Sequence, residues 1–300
     1  MFHMMKSTNR RLNDEIEGFA EGETLGVGKK KTVCFTPMSG IFKQKKYLPI
    51  RYCPLQIELE LVGNIEDVAV GTTSFEISNV QLKCDLITLD NTLDNEYAQH
   101  LLDGGNLPIN FSTFTTASQI IANIDSSINV QRSFSRMKSV YVTLSNSSPV
   151  LNDDTVRRFE VIDFLHPMNI VTDAYVFEEE LQFQMQLGSK LFPEYPLRSL
   201  AEQYYQLRKL QGDYHTRKEA MDIDPAAYRK DKFVIGIDTE KMLGAGFTGY
   251  NSKAGDLLTL RLNKANGNAA LPAGGVTKMH YALEYDAILE ITDTGVMIKE

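Results

Sequence analysis

Alternation of apolar and polar residues with period two recurs along this chain and constrains its fold more than any other feature. It is clearest in Leu55–Val62, Val80–Leu89, Leu181–Leu187, Leu257–Asn263 and Thr277–Ile291. Successive side chains of a strand point to opposite faces, so each segment is predicted to be a strand with one buried side. One-sided burial is typical of antiparallel sheets packed face to face. The sequence therefore predicts an all-β fold of tandem antiparallel β-sandwiches.

Two short helices are predicted to interrupt the strands, one in each half of the chain. The first has Asp90 or Thr92 as its N-cap, and the second begins at Ser199, where Glu202 completes a capping box. Each half thus contains strands, one helix and further strands, which favours two sandwiches in series over a single barrel. The other predicted strands are Thr32–Phe35, Ile109–Thr115, Ile128–Arg132, Val140–Leu144, Arg157–Phe164 and Phe233–Asp238, and Thr277–Ile291 is predicted to break into two.

Length, charge and cysteine content argue against several classes of protein. At roughly 100–200 residues per domain, 300 residues predict about two domains. A net charge of −8 argues against broad binding to a phosphate backbone, which requires a basic surface. Cys34, Cys53 and Cys84 are too few for a disulfide scaffold and, without a CxxC motif, predict no zinc site. We expect no secretory signal and no membrane span, because long apolar runs do not occur.

One glycine-rich segment, Gly244–Gly249, has the GxGxxG spelling of a dinucleotide-binding loop. Such a loop must lead into a helix, because the helix N-terminus holds the pyrophosphate. Here Leu257–Asn263 follows, and its period-two alternation predicts a strand. The segment is therefore predicted to be an ordinary loop, and no cofactor is expected.

Candidate catalytic residues are scattered rather than grouped. The carboxylates of Glu58 and Glu60, and of Glu284 and Asp286, share strand faces, as acid–base pairs at glycosidic bonds would. Residues at i and i+2 on a polar strand face are, however, usually only solvated. The five histidines form no HxH or HExxH motif; they are His3, His100, His166, His215 and His280. The sequence thus assigns no catalytic, cofactor-binding or metal-binding residue and predicts no enzyme. A glycan-binding or glycan-cleaving β-sandwich stays open as an alternative, which the absence of Trp weakens.

Basic residues cluster near the N-terminus, in Lys29–Lys31 and again in Lys43, Lys45 and Lys46. Solvated loops are the simplest interpretation of these clusters. Contact with nucleic acid or anionic lipid is the alternative. If the chain contacts a genome at all, this region is where we expect the contact.

Short motifs along the chain resemble, in the same order, the double jelly-roll major capsid proteins of eukaryotic DNA viruses. This group includes nucleocytoplasmic large DNA viruses, virophages and Polinton-like viruses. The matching segments are Tyr47–Tyr52 before the strand Leu55–Val62, Leu82–Leu89 before Asp90, Phe134–Leu144, Leu181–Ser189, Phe233–Asp238 and Tyr281–Ile291. Glu284 and Asp286 replace the usual asparagines around Tyr285, and Tyr141 stands where a tryptophan is common. The first half is shorter than in the family, so its jelly roll is predicted to be truncated, minimal or completed by a neighbour.

The resemblance implies a structural role in a virion and three regions of the chain. These are an N-terminal arm at residues 1–31, a first jelly roll at 32–120 and a second at 121–300. Three copies would form a pseudo-hexameric capsomer of an icosahedral shell that is assembled inside the host cell. Partners would be the chain itself, neighbouring capsomers, and penton and minor capsid proteins. A minor capsid or penton protein is the alternative within the same class.

Overall fold

The computed structural model describes residues 28–30, 32, 40–42, 44–61, 74–145, 180–211, 228–229, 232–240, 249–253, 257–264 and 278–300. Among these residues, strands dominate and the helices are short, so the predicted all-β class is confirmed. The helices are α1 (Asn91–Leu102) and α2 (Leu200–Leu210), with a 3-10 turn at Gly40–Phe42. The strands are β1 (Leu107–Ile120), β2 (Ser126–Val130), β3 (Met137–Ser145), β4 (Leu181–Leu187), β5 (Lys190–Leu197), β6 (Val234–Asp238), β7 (Leu258–Lys264), β8 (Lys278–Thr292) and β9 (Gly295–Lys299).

Two antiparallel sheets form a sandwich. The first sheet has the order β1-β8-β3-β6, with β9 also paired to β8, and the second has the order β2-β7-β4-β5. β8 is the central strand of the first sheet. It pairs with β1 from Lys278 to Ile291 on one side. On its other side it pairs first with β3, up to Tyr285, and then with β9, from Ile288.

The core lies between the inner faces of the two sheets. Every second residue of β4 is buried, and Phe183, Met185 and Leu187 stand opposite Leu262, Leu260 and Leu258 of β7. The alternation predicted from the sequence for these strands is therefore confirmed. The facing sheet contributes the buried side chains of Val140, Val142, Leu144, Ile235, Met279 and Leu283.

Both helices begin where local sequence signals predict. The Asp90 carboxylate accepts a hydrogen bond from the Leu93 amide at 2.8 Å, so Asp90 rather than Thr92 caps α1. The Ser199 hydroxyl accepts from the Glu202 amide at 3.2 Å, as the capping box predicts. α2 packs closely on β6, because a Cβ at Gly236 would lie only 2.8–2.9 Å from side-chain atoms of Leu207 and Leu210.

The first half of the chain differs from the prediction. Residues 55–61 and 80–89 are exposed and belong to no strand, and no strand ladder joins them to any other described residue. The alternation identifies an apolar face, but a strand also needs a neighbour whose backbone supplies hydrogen bonds, and sequence alone does not show that neighbour. At the other end of the chain, Lys278–Thr292 is one strand rather than two.

Several predictions concern residues outside the described ranges. They are the strand at Arg157–Phe164, most of the strand at Thr32–Phe35, and all of the loop Gly244–Gly249 except its last residue. The three regions 1–31, 32–120 and 121–300 remain predictions. β1, which belongs to residues 32–120, pairs with β8 of residues 121–300 in one sheet.

Replacing Leu260 by Ala should lower the free energy of unfolding by about 2–5 kcal/mol, because Leu260 is fully buried and its removal leaves a cavity. Leu257→Ala is the matched control: that side chain is 50 % exposed, and we expect a change within about 1 kcal/mol. Urea denaturation followed by circular dichroism measures both. Equal losses in the two variants would contradict the sandwich core described here.

Candidate assembly surface

Large apolar side chains are exposed throughout the described residues between positions 55 and 89. In most of them at least 40 % of the residue surface is accessible, and Leu86 reaches 76 %. Monomeric soluble proteins rarely expose so much apolar surface in one stretch, and such surface is typical of interaction sites. The exposed residues are Leu55, Ile57, Leu59, Leu61, Phe75, Ile77, Val80, Leu82, Leu86, Ile87 and Leu89.

A second apolar surface lies where β1 and β8 extend beyond the sandwich. There Ile109, Leu289 and Ile291 form a small buried cluster, covered by the segment 40–53. The same face continues onto β9, where Val296 stands opposite Ile291 and Ile298 opposite Leu289. Val296 and Ile298 are 44 % and 57 % exposed, so segment 40–53 covers only part of this face. Segment 40–53 also contains Tyr47–Tyr52, one of the motifs in the resemblance.

On the outer face of the first sheet, Lys138 is surrounded by carboxylates. Its ammonium nitrogen lies 3.5 Å from the Glu240 carboxylate and 3.8 Å from that of Asp286. It also lies 3.2 Å from the Ser112 hydroxyl oxygen, which in turn donates a 2.6 Å hydrogen bond to Asp286. Beside them, Ser139 donates a 2.7 Å hydrogen bond to Glu284. We call these residues the Lys138 cluster.

The electrostatics of the Lys138 cluster favour the charged form of Lys138. Burial acts to lower the pKa of Lys138, but Glu284, Asp286 and Glu240 outweigh this effect, and the net shift is upward. Burial raises the pKa of Glu240 above its ordinary value, against the opposing influence of Lys138. The pair Glu284 and Asp286 singled out in the sequence is therefore held in a charge-paired network on a sheet face. Glu58 and Glu60 are exposed and lie on a different segment.

Glu300 is held by a second polar cluster, the Glu300 clamp. Arg132 donates to both carboxylate oxygens of Glu300 at 3.0 Å, and the Tyr285 hydroxyl donates to one of them at 2.9 Å. The Ser135 hydroxyl donates to the main-chain oxygen of Glu300 at 2.6 Å, and the Lys253 ammonium group donates to the same atom. The clamp fastens the end of β9 beside the start of β3.

Tyr285 links the Glu300 clamp to the core. Its ring packs against Phe134, with 4.5 Å between ring centroids. Burial and the hydrogen bond to Glu300 raise the pKa of Tyr285 to about 12, so its hydroxyl stays a proton donor at neutral pH. The resemblance singled out Tyr285, whereas sequence reasoning missed Arg132, Lys253 and Glu300. These residues are far apart in sequence, and no local motif marks their convergence.

Tyr141, which occupies the position of a common family tryptophan, is buried on the outer face under the end of α2. Its hydroxyl accepts a 3.0 Å hydrogen bond from the side-chain amide of Gln211. Burial raises the pKa of Tyr141, so the hydroxyl stays neutral. A tyrosine is therefore accommodated here because α2 supplies a polar partner for its hydroxyl.

The remaining sequence candidates do not converge. His280 lies 2.7 Å from the buried Ser145 hydroxyl, and burial lowers its pKa. His100 lies on α1, with its ring 3.2 Å from the Asn106 carbonyl oxygen. Among the described residues, no group of three His, Cys, Asp or Glu side chains is placed to hold a metal ion. His3, His166, His215, Cys34, Lys31 and Lys43 lie outside the described ranges.

The basic residues that are described lie on the surface. Lys29, Lys30, Lys45 and Lys46 are exposed, and Lys46 donates a 3.0 Å hydrogen bond to the Pro108 carbonyl oxygen. Neither of the two described helices has the length and hydropathy needed to cross a bilayer.

Lys138→Met should lower the free energy of unfolding by about 1–3 kcal/mol, because it leaves the Asp286 and Glu240 carboxylates without their cation. Lys138→Arg keeps the positive charge and should lower the free energy of unfolding by less. Lys299→Met is the control: it removes a 2.6 Å ion pair to Glu290, but Lys299 is 53 % exposed and we expect under about 1 kcal/mol. Chemical denaturation of the three variants measures these losses of stability. A larger loss of stability in Lys299→Met than in Lys138→Met would contradict the role of the Lys138 cluster.

Glu300→Gln should make stability less dependent on pH. The Arg132 guanidinium holds the pKa of Glu300 below its ordinary value of 4.5, so the clamp stabilises the fold above that pH and loses its effect as the pH falls through the lowered pKa. Both side chains are partly exposed, so the difference at pH 7 should be under about 1 kcal/mol. Thermal unfolding between pH 7 and pH 3 should show the two curves converging in acid. When Arg132 is also replaced by Met, the stability change caused by Glu300→Gln should become smaller. An unchanged value there would contradict the pairing of Arg132 with Glu300.

Comparisons with known proteins place the chain beside viral structures at low similarity. No family model matches it, and no curated protein is significantly similar in sequence. One similar solved structure is PBCV-1 VP54 fitted into a cryo-EM reconstruction of the virophage Sputnik, with 12 % identity and a TM-score of 0.39. Another is the PBCV-1 virus capsid, with 13 % identity and a TM-score of 0.39. Each match covers 71 % of this chain and 55 % of the solved chain. A third is the 3.5 Å structure of the Sputnik virophage, with 10 % identity and a TM-score of 0.37. That match covers 65 % of this chain and 39 % of the solved chain. The chain thus spans about half the length, or less, of the solved chains it matches.

Proposed function

We propose that this chain is a structural capsid protein that builds a viral shell by associating with copies of itself. The proposal rests chiefly on the exposed apolar side chains between residues 55 and 89. Eleven large apolar residues are exposed there, with 39–76 % of the residue surface accessible, and such surface is typical of interaction sites. The order of sequence motifs and the two-sheet sandwich support the same class of function.

The finer form of the proposal is a homotrimer that acts as a pseudo-hexameric capsomer. In a closed three-fold ring, each chain uses two different faces, one toward each neighbour. Obligate interfaces of this kind bury roughly 2,000–5,000 Å² and are apolar at the centre. The exposed apolar side chains of residues 55–61 and 74–89, and those of β9, provide apolar surfaces of the kind such a ring requires.

The role is structural rather than enzymatic, and the site of action is the virion. Neighbouring capsomers, penton proteins and minor capsid proteins are the further partners in this proposal. The acidic net charge of −8 suits a shell whose outer surface stays soluble. In this proposal the basic N-terminal region contacts the genome, because Lys29, Lys30, Lys45 and Lys46 are exposed there.

Size-exclusion chromatography with multi-angle light scattering tests the proposal directly. We expect a species of three times the chain mass of 33.8 kDa, and larger assemblies at high protein concentration in negative-stain electron microscopy. A chain that stays monomeric at all concentrations and binds or cleaves glycans would overturn the capsid proposal. A stable five-fold ring would instead favour a penton protein.

A further inference from the structure

The Lys138 cluster brings an amine and a carboxylate together with the groups that amide formation requires. The Lys138 ammonium nitrogen lies 3.8 Å from a carboxylate oxygen of Asp286 and 3.5 Å from one of Glu240. The side chains of Lys138, Glu240 and Asp286 are only 25 %, 17 % and 9 % exposed. Most surface ion pairs consist of two solvated side chains, so the burial and the additional carboxylate set this one apart. The cluster therefore holds a nucleophile, a carboxyl group and a proton acceptor in one site.

A β-bulge in β3 directs Lys138 into the cluster. The register with β8 shifts between Met137 and Ser139, so Lys138 is the extra residue. Met137 faces the core, whereas Ser139 donates a hydrogen bond to Glu284 on the outer face. Residues two apart in a regular strand share a face, so the bulge reverses the alternation at Lys138. Bulges re-aim side chains in this way and are over-represented beside active sites.

Glu240 is fixed beside the bulge by the residue that precedes it. The Thr239 amide donates a 2.9 Å hydrogen bond to the Lys138 carbonyl oxygen, and the Thr239 hydroxyl donates to the Met137 carbonyl oxygen at 2.9 Å. Burial raises the pKa of Glu240, so its carboxylate accepts a proton more readily than an exposed one. Glu240 is therefore suited to take a proton from the Lys138 ammonium group.

We propose that Lys138 and Asp286 become joined by an isopeptide bond, an amide between their side chains, and that Glu240 transfers the protons. Glu240 first takes one proton from the Lys138 ammonium group, and the resulting amine attacks Cγ of Asp286, so that the Nζ–Cγ bond forms. Glu240 passes this proton and a second one from the same nitrogen to Oδ2, which leaves as water as the Cγ–Oδ2 bond breaks. One ammonium and one carboxylate thus become a neutral amide and one water, without an oxidant, a reductant or a co-reactant.

Ser112 supplies a hydrogen bond at the carboxyl group. Its hydroxyl donates at 2.6 Å to Oδ1 of Asp286, the oxygen on which negative charge develops during the attack. In the product, the same hydroxyl donates to the amide oxygen, and the new amide N–H faces the Glu240 carboxylate. Both polar atoms of the amide then have partners, and two partly buried charges are removed.

The electrostatics and the geometry of the cluster act on different aspects of this reaction. The surrounding carboxylates hold the pKa of Lys138 above its ordinary value, so the ammonium form prevails and we expect the bond to form slowly after folding. Well-oriented intramolecular reactions reach effective molarities of roughly 10⁵–10⁸ M, which favours the condensation of two groups held in one site. The bond also closes a long loop of chain, which lowers the entropy of the unfolded state.

Intact-mass spectrometry of the full-length chain, unfolded just before the measurement, tests the inference. Folded protein kept at neutral pH should shift with time to a mass lower by one water molecule. Lys138→Arg and Glu240→Gln should keep the full mass, because the first removes the amine and the second removes the base. Asp286→Asn should form the same bond but lose one ammonia molecule instead of water, since the leaving group differs. Circular dichroism checks that each variant is folded.

Lys299 and Glu290 provide an internal control. Their ion pair is shorter, at 2.6 Å, but Lys299 is 53 % exposed. A tryptic digest should therefore contain a branched peptide that joins the segments around Lys138 and Asp286, and none that joins Lys299 to Glu290. Equal amounts of the two cross-links would mean that proximity alone is sufficient, and would contradict the role given to the cluster.

The remaining outcomes separate this inference from the proposed function. A folded chain that keeps its full mass throughout overturns the inference and leaves the Lys138 cluster as an ion-paired network only. A bond that forms as fast in Glu240→Gln as in the unsubstituted chain overturns the assignment of Glu240. Neither result affects the proposed capsid role, because the bond lies within one sheet of a single chain. A chain that loses water but stays monomeric supports the bond and contradicts the capsid proposal.

Discussion

The continuous ladder between β1 and β8 is the interaction on which the rest of the structure depends. Because β8 is long, it pairs with β1 along one side and with β3 and then β9 along the other. Its inner residues Met279, Leu283 and Tyr285 belong to the sandwich core. Its outer residues Glu284 and Asp286 belong to the Lys138 cluster. One strand therefore sets the position of the core, the charged outer face and the C-terminal hairpin.

The two polar clusters stabilise different parts of this arrangement. The Lys138 cluster joins β1, β3 and β8 through Ser112, Lys138 and Asp286 on the outer face. The Glu300 clamp joins β9 to the residues preceding β3 through Arg132 and Ser135. Partially buried charges are stable only when paired, so both clusters act as fixed points of the sheet. In both clusters the charged groups are compensated by partners of opposite charge.

The described residues between positions 55 and 89 expose many large apolar side chains. Among the described residues, no strand ladder includes Leu55–Leu61, although its alternation predicts a strand. The sandwich supplies the rigid frame from which these surfaces are presented.

The sequence by itself determined the all-β class, the faces of β4, β7 and β8, and the helix cap at Ser199; for the first helix it left Asp90 and Thr92 as alternatives. These features are local: alternation follows from the two-residue period of a strand, and a cap forms within one helical turn. Only the tertiary structure decided which strands are neighbours. It brought Arg132 to Glu300 and Ser112 to Asp286 across more than 160 residues. No described strand pairs with Leu55–Leu61, despite its strand-like alternation. Pairing depends on which backbone edges meet in space, and no periodicity within a single segment carries that information.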